Sequence, residues 1–137
     1  MVALEVWYDI KHDDATIVRT PAELDAVLDE VASWKENYNI IELLIADDPV
    51  RAILDVGIDV EAGRGTLYYA GEGYDDGCFT RGGSKSDKDL LLYYYMGSDR
   101  EFPRDSEIPL ATVRKAAHEY MTTGGNRPTG IDWQPAR

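Results

Sequence analysis

One cysteine, Cys78, and two histidines, His12 and His118, are all that 137 residues contain of the side chains most used as soft metal ligands or as nucleophile and base. A lone thiol rules out an intrachain disulfide, so the fold must hold without covalent staples, and a cytoplasmic location is expected. Long hydrophobic runs are missing too. No stretch approaches the roughly 20 apolar residues that a membrane-spanning helix needs. Met1-Val2-Ala3-Leu4-Glu5 has no basic segment leading into an apolar one, so no secretory signal is expected. Positive charge is scarce: 14 lysines and arginines stand against 26 aspartates and glutamates, a net charge of −12. Such a surface repels nucleic acid and anionic membrane and attracts basic partners. Neither nucleic acid nor membrane is therefore an expected partner.

The residues that are present describe a folded chain. Hydrophobic residues make up 44% and charged residues 29%, both within the globular range, and the length suits one domain spanning residues 1–137. Leu4, Val6, Tyr8 and Ile10 alternate with Glu5, Trp7 and Asp9, which predicts a half-buried strand. Thr20-Pro21-Ala22-Glu23 predicts a helix start, with a capping hydroxyl, proline at the first helical position and a glutamate able to reach back. Leu24, Val27, Leu28 and Val31 continue it as one apolar stripe, ending near Trp34.

Further strands follow from pattern. Ile40 to Ala46 is a short apolar run ahead of the turn Asp47-Asp48-Pro49. Arg51 to Val60 alternates, with Ala52, Leu54, Val56, Ile58 and Val60 expected inward and Arg51, Asp55 and Asp59 outward. Glu61-Ala62-Gly63 turns it into a hairpin with Thr66 to Ala70. Gly71 to Asp89 is too long for a structureless loop, so a short strand is expected around Cys78-Phe79-Thr80. Leu90 to Met96 is continuously apolar and aromatic, as a central strand covered on both faces would be. A second helix begins near Pro109 with Leu110, Val113, Ala117 and Tyr120 at helical spacing, closes at Gly124 or Gly125, and cannot continue past Pro128. Ile131-Asp132-Trp133 forms a last edge strand, with Trp133 packed on the second helix. This order predicts an α+β fold: an antiparallel sheet of about five to six strands with two helices packed on it.

No catalytic constellation emerges. His12 lies in a charged loop, and His118 has Thr122 where a helical zinc site would need a second histidine. Asp75 and Asp76 near Cys78 disfavour a thiolate. Gly71, Gly73 and Gly77 miss the dinucleotide fingerprint by one position, and Gly82-Gly83-Ser84-Lys85-Ser86 lacks phosphate-loop spacing. The carboxylate pairs Asp13-Asp14, Asp47-Asp48 and Asp75-Asp76 have no calcium-loop spacing. No catalytic residue, metal or cofactor is assigned, and a protein-binding role is favoured over an enzymatic one.

The carboxy-terminal third is more specific. Ile108-Pro109-Leu110 leads into Val113-Arg114-Lys115-Ala116-Ala117-His118-Glu119-Tyr120, followed by Thr123-Gly124, Arg127-Pro128 and Trp133. Together with Leu67-Tyr68-Tyr69, Gly82-Gly83-Ser84, and Leu92-Tyr93-Tyr94-Tyr95 followed by Gly97, this resembles a bacterial immunity-protein family, the one numbered first among the Imm families of polymorphic toxin systems. The resemblance spans roughly residues 40 to 134. It departs from the family's compact threonine–glycine–arginine–proline run, because Gly125 and Asn126 are inserted before Arg127.

The resemblance implies an α+β protein that binds and neutralises a cognate protein toxin, often a nucleic-acid deaminase or nuclease, with a basic active-site face. It implies mainly structural work for Ile108, Pro109, Ala117, Tyr120, Gly124, Arg127, Pro128 and Trp133. An acidic protein can occupy a basic substrate groove. Tyr74, Asp75, Asp76, Asp99, Glu101 and the tyrosines Tyr93, Tyr94 and Tyr95, expected to point outward, are the candidate interface. The alternative is a small-ligand-binding or regulatory module built on the glycine-rich segment 71–89.

Overall fold

Hydrophobic alternation in the chain's middle third builds the centre of one large sheet. A computed structural model describes Met1–Arg137. In chain order the elements are β1 (Leu4–Trp7), β2 (Thr16–Val18), α1 (Pro21–Ala32), β3 (Asn39–Ile45), β4 (Ala52–Asp59), β5 (Arg64–Gly71) and β6 (Tyr74–Thr80). Then come β7 (Leu91–Tyr95), β8 (Ser98–Phe102), β9 (Ile108–Pro109), α2 (Leu110–Thr123) and β10 (Trp133–Pro135). No helix is long and apolar enough to cross a membrane.

The sheet runs β10-β6-β5-β4-β3-β1-β2. β9 pairs with the start of β5, and β7 joins β3 at Asn39–Tyr94 and carries β8. Every ladder is antiparallel except that β3–β7 contact. The expectation of five to six strands is therefore corrected to ten, still with two helices and an α+β architecture. The additional strands include β2, β8 and β9, with sequences TIV, SDREF and IP. Their extended state comes from a partner's ladder and not from a pattern of their own.

Helix α1 starts as its sequence dictates. Thr20 Oγ1 accepts from the Glu23 amide at 3.1 Å, and Glu23 Oε1 accepts from the Arg19 amide at 3.0 Å, one residue before the cap. α2 ends where Gly124 turns left-handed at φ 73°. Its exit is stitched to the sheet: Arg51 donates to Gly124 O at 2.7 Å, and the Tyr69 hydroxyl donates to Gly125 O at 2.6 Å. Arg114 of α2 reaches Asp25 and Asp29 of α1 at 3.3 and 2.8 Å, bracing the helices against each other.

Both helices contribute to the main core on one face of the sheet. Leu24, Leu28, Val113, Ala117 and Tyr120 join Ile41, Leu43, Leu54, Val56 and Leu67, all buried. Each such leucine or valine contributes about 1.5–3 kcal/mol relative to exposure. Trp133 rests half-buried at the margin of this core, its indole donating to Pro128 O at 3.1 Å.

On the opposite face, β7 and β8 fold over as a hairpin and make a second, smaller core of Ile40, Leu91, Tyr93 and Phe102. This corrects two expectations. β7 is not a central strand covered on both faces, since Tyr94 stands 40% exposed. Nor do Asp55 and Asp59 face solvent: both are buried, while Val60 is exposed. Gly57 allows the close packing here, because a Cβ at that position would lie 2.9 Å from the Tyr93 ring.

Candidate functional site

Residues alternate across the sheet, so every second side chain of its central strands points away from the helices. Ladder register lays these out in two adjacent rows on the second face. One row runs Ile17, Glu5, Leu44, Ile53, Ala70. The other runs Trp7, Glu42, Asp55, Tyr68, Phe79. The hairpin covers the next row, at Ile40 and Gly57, and overlaps the second of these two, where Phe102 packs on Phe79 and Tyr95 reaches Glu42, while the first row stays uncovered. Trp7, Leu44, Ile53, Tyr68 and Phe79 are consequently only half-buried. An incompletely covered sheet face with large side chains is a surface that a partner can complete.

A hollow of about 230 Å³ opens where the hairpin meets the second row, lined by Asp55, Tyr68, Phe79, Arg100, Glu101 and Phe102. Asp55 is only 7% exposed, and its Oδ1 has no hydrogen-bond partner. Glu42 stands directly across the ladder from it. Burial, then a hydrogen bond with the Glu42 carboxyl and that group's charge, push the Asp55 carboxyl well above the ordinary aspartate range, while Arg100 pulls weakly the other way. The Tyr95 hydroxyl donates to Glu42 Oε1 at 3.4 Å, and burial followed by the Glu42 charge raises its pKa to about 12. Arg100 itself lies over the Tyr95 ring, 5.2 Å from its centroid.

A larger hollow of about 610 Å³ borders the first row, where Asp75 and Glu72 meet Leu44, Ile53 and Ala70. Around the corner, at the β6–β10 edge, Arg127 is sandwiched 4.0 Å from the Tyr74 centroid and 5.4 Å from that of Trp133. Hollows of about 510 and 550 Å³ flank this stack, and Tyr74, Arg127 and Trp133 line both.

The candidate residues thus fall into two groups. Tyr74, Asp75 and Asp76 are exposed at the start of β6; Tyr94, Asp99 and Glu101 are exposed on the hairpin, where Tyr94 and Asp99 stand opposite each other. None of these hollows holds members of both groups, yet Asp75 borders one row of the open face and Glu101 the other. Tyr95 is half-buried against Glu42. Tyr93 does not point outward. It is wholly buried, its hydroxyl donating to Glu107 at 2.7 Å, because strand alternation turns it toward the sheet when Tyr94 faces solvent.

Among the signature residues, Ile108, Ala117, Tyr120 and Pro128 are buried. Tyr120 donates to Leu43 O at 3.0 Å, Pro109 precedes α2, and Gly124 terminates it. Within the glycine-rich segment 71–89, Tyr74–Thr80 forms strand β6, and the residues from 81 onward carry no helix or strand.

Other reactive side chains have structural partners. His118 Nε2 lies 2.7 Å from Asp25 Oδ1, and that hydrogen bond is the main influence holding the Asp25 carboxyl below its ordinary range. Cys78 is buried, and burial raises its thiol pKa against the opposing effect of Arg127, so it is a poor nucleophile. No three His, Cys, Asp or Glu side chains converge as a metal site.

The feature that sequence reasoning misplaced is the Glu42–Asp55 pair. Glu42 is flanked by Ile41 and Leu43, and Asp55 by Leu54 and Val56, which is a visible signal, but only the register brings the two together.

No curated protein matches the sequence. A family model described as immunity protein Imm1 matches residues 12–135.

Proposed function

The chain belongs to the Imm1 family of immunity proteins, and from that premise we propose that it neutralises a cognate toxin by seating the toxin's basic substrate-binding surface on the open face of the sheet. The observation that carries this reading is the composition of that face. Half-buried Trp7, Leu44, Ile53, Tyr68 and Phe79 lie between the acidic groups of β6 and those of the β7–β8 hairpin. Aromatic and aliphatic anchors inside an acidic rim suit a basic partner, the anchors setting residence time and the rim steering encounter.

The toxin best matched to a net charge of −12 acts on nucleic acid, as a deaminase or a nuclease, because such an enzyme carries a positive substrate groove. The protein then works by occupancy and not by turnover.

The test is co-expression with the toxin domain encoded beside it, followed by size-exclusion chromatography of the purified pair. Restored growth and a stable complex, competed away by the toxin's nucleic-acid substrate, are expected. Undiminished toxicity with no complex would refute the immunity reading. A complex that still admits substrate would refute the blocking mechanism alone.

A further inference from the structure

The Asp55 hollow asks for an occupant. A buried carboxyl oxygen without a hydrogen-bond partner is costly in a folded protein, and here the aspartate that carries it lines an opening, with a second carboxyl across the ladder. We propose that this hollow receives one arginine side chain of the toxin, its guanidinium meeting Asp55 and Glu42 and its stem lying along Tyr68, Phe79 and Phe102. This deepens the immunity reading and rests on it.

Three observations select arginine. The walls are aromatic: Phe79 and Phe102 stand 5.3 Å apart between centroids, and Tyr68 and Phe79 stand 5.2 Å apart. A guanidinium is more weakly hydrated than an ammonium, stacks on such rings, and presents a planar fork to carboxylates. The volume, about 230 Å³, suits one long side chain and is too small for a nucleotide. The polar groups around the opening are Glu42 on β3, Tyr68 on β5, Tyr95 on β7, and Arg100 and Glu101 on β8. Only Arg100 is cationic, and it makes no ion pair with either carboxyl; it stacks on Tyr95 instead. The chain's own arginine therefore leaves the place open.

Entry of a guanidinium also converts a costly pair into a satisfied one. With a fixed positive charge beside it, the proton that burial favours on Asp55 is released to solvent. Toxin affinity then rises as pH rises through the range in which that proton is held.

Two measurements decide the matter. Isotope-labelled protein is titrated with N-acetyl-arginine amide and, in parallel, N-acetyl-lysine amide, followed by NMR. Shifts confined to Asp55, Tyr68, Phe79 and Phe102, larger for arginine and absent in Asp55→Asn, are expected. Toxin binding by Asp55→Asn should weaken about 30-fold or more, as for a buried charge pair that loses one member. Asp55→Asn keeps the side-chain shape, and thermal unfolding checks that it is folded. Arg100→Gln should bind the toxin at least as tightly as the parent, because it takes a positive charge from the hollow's wall without removing a partner of either carboxyl.

Uniform shifts, or equal toxin affinity in Asp55→Asn, would overturn the arginine hollow while leaving the immunity reading intact. Weakened binding in Arg100→Gln would overturn it in favour of Arg100 as the partner of Asp55. If the parent protein binds no toxin, the immunity reading falls and the inference about the toxin's arginine falls with it, even where the free amide still docks.

Discussion

Replacing Asp55 by asparagine should make the protein more stable, and only above acidic pH. The buried carboxyl faces Glu42, and its Oδ1 has no partner. Its pKa in the folded state is raised well above the reference value of 3.8, first by burial. The sign follows from proton binding. The folded state holds this proton more tightly than the unfolded state, so at low pH, with Asp55 protonated in both, the site carries no charge penalty. As pH climbs from the unfolded pKa to the folded one, stability falls, and above the folded pKa the penalty is constant. Asparagine does not titrate, and its amide can donate to Glu42.

An unsatisfied buried charge costs at least as much as an unsatisfied polar group, about 1–3 kcal/mol, and asparagine, which keeps the oxygen, removes the charge. For a domain of this length, 1 kcal/mol corresponds to about 4 °C in Tm. Thermal unfolding followed by circular dichroism should therefore show Asp55→Asn melting about 4–12 °C above the parent near pH 8. The two curves should converge toward about pH 4, where the protonated acid and the amide are both neutral. A lower Tm for the variant at pH 8, or a difference independent of pH, would refute the burial argument. Coupled to weakened toxin binding, the stabilisation would identify a side chain retained for function at a cost to the fold.

Thr20→Ala should cost about 1 kcal/mol, because Thr20 Oγ1 caps the Glu23 amide; an unchanged urea midpoint would show that the cap is dispensable. The double change Asp75→Asn with Asp76→Asn should slow association with the toxin and leave dissociation nearly unaltered. Raising salt from about 0.05 to 0.5 M should shrink the difference as the screening length falls below roughly 5 Å; an association rate indifferent to both would reduce this acidity to a solubility trait.

The elements legible in the sequence are those whose information is local. The Thr20–Glu23 cap, the stripe Leu24-Val27-Leu28-Val31, the alternation through β4 and the glycine exit of α2 each need only a few consecutive residues. Strands β2, β8 and β9 were illegible because two to five largely irregular residues take their conformation from a distant ladder. Tyrosine caused the misreading of β7. It counts as apolar in a pattern, yet Tyr94 reaches solvent, Tyr95 reaches Glu42, and Tyr93 alone lies fully inside. Asp55 was misplaced for a related reason: alternation correctly turned it away from the helices, but nothing local reveals that a hairpin some 40 residues later covers that side. Family membership was legible from the carboxy-terminal motifs, and the family match extends further toward the amino terminus, to residue 12.

The ends of the sheet carry a consequence for how recognition can diversify. Its outermost strands, β2 and β10, are three residues each, and β10 includes Pro135, which has no amide hydrogen to offer. The free side of β8 carries Asp99, Arg100 and Glu101. Short, proline-bearing or charged edges resist the addition of a foreign strand. Main-chain pairing, which is largely blind to side-chain identity, is thereby discouraged, and the proposed contact through the face is the kind that remains. A face is read through its side chains. Related chains can exchange these one at a time, acquiring new partners while the ladder beneath keeps its register.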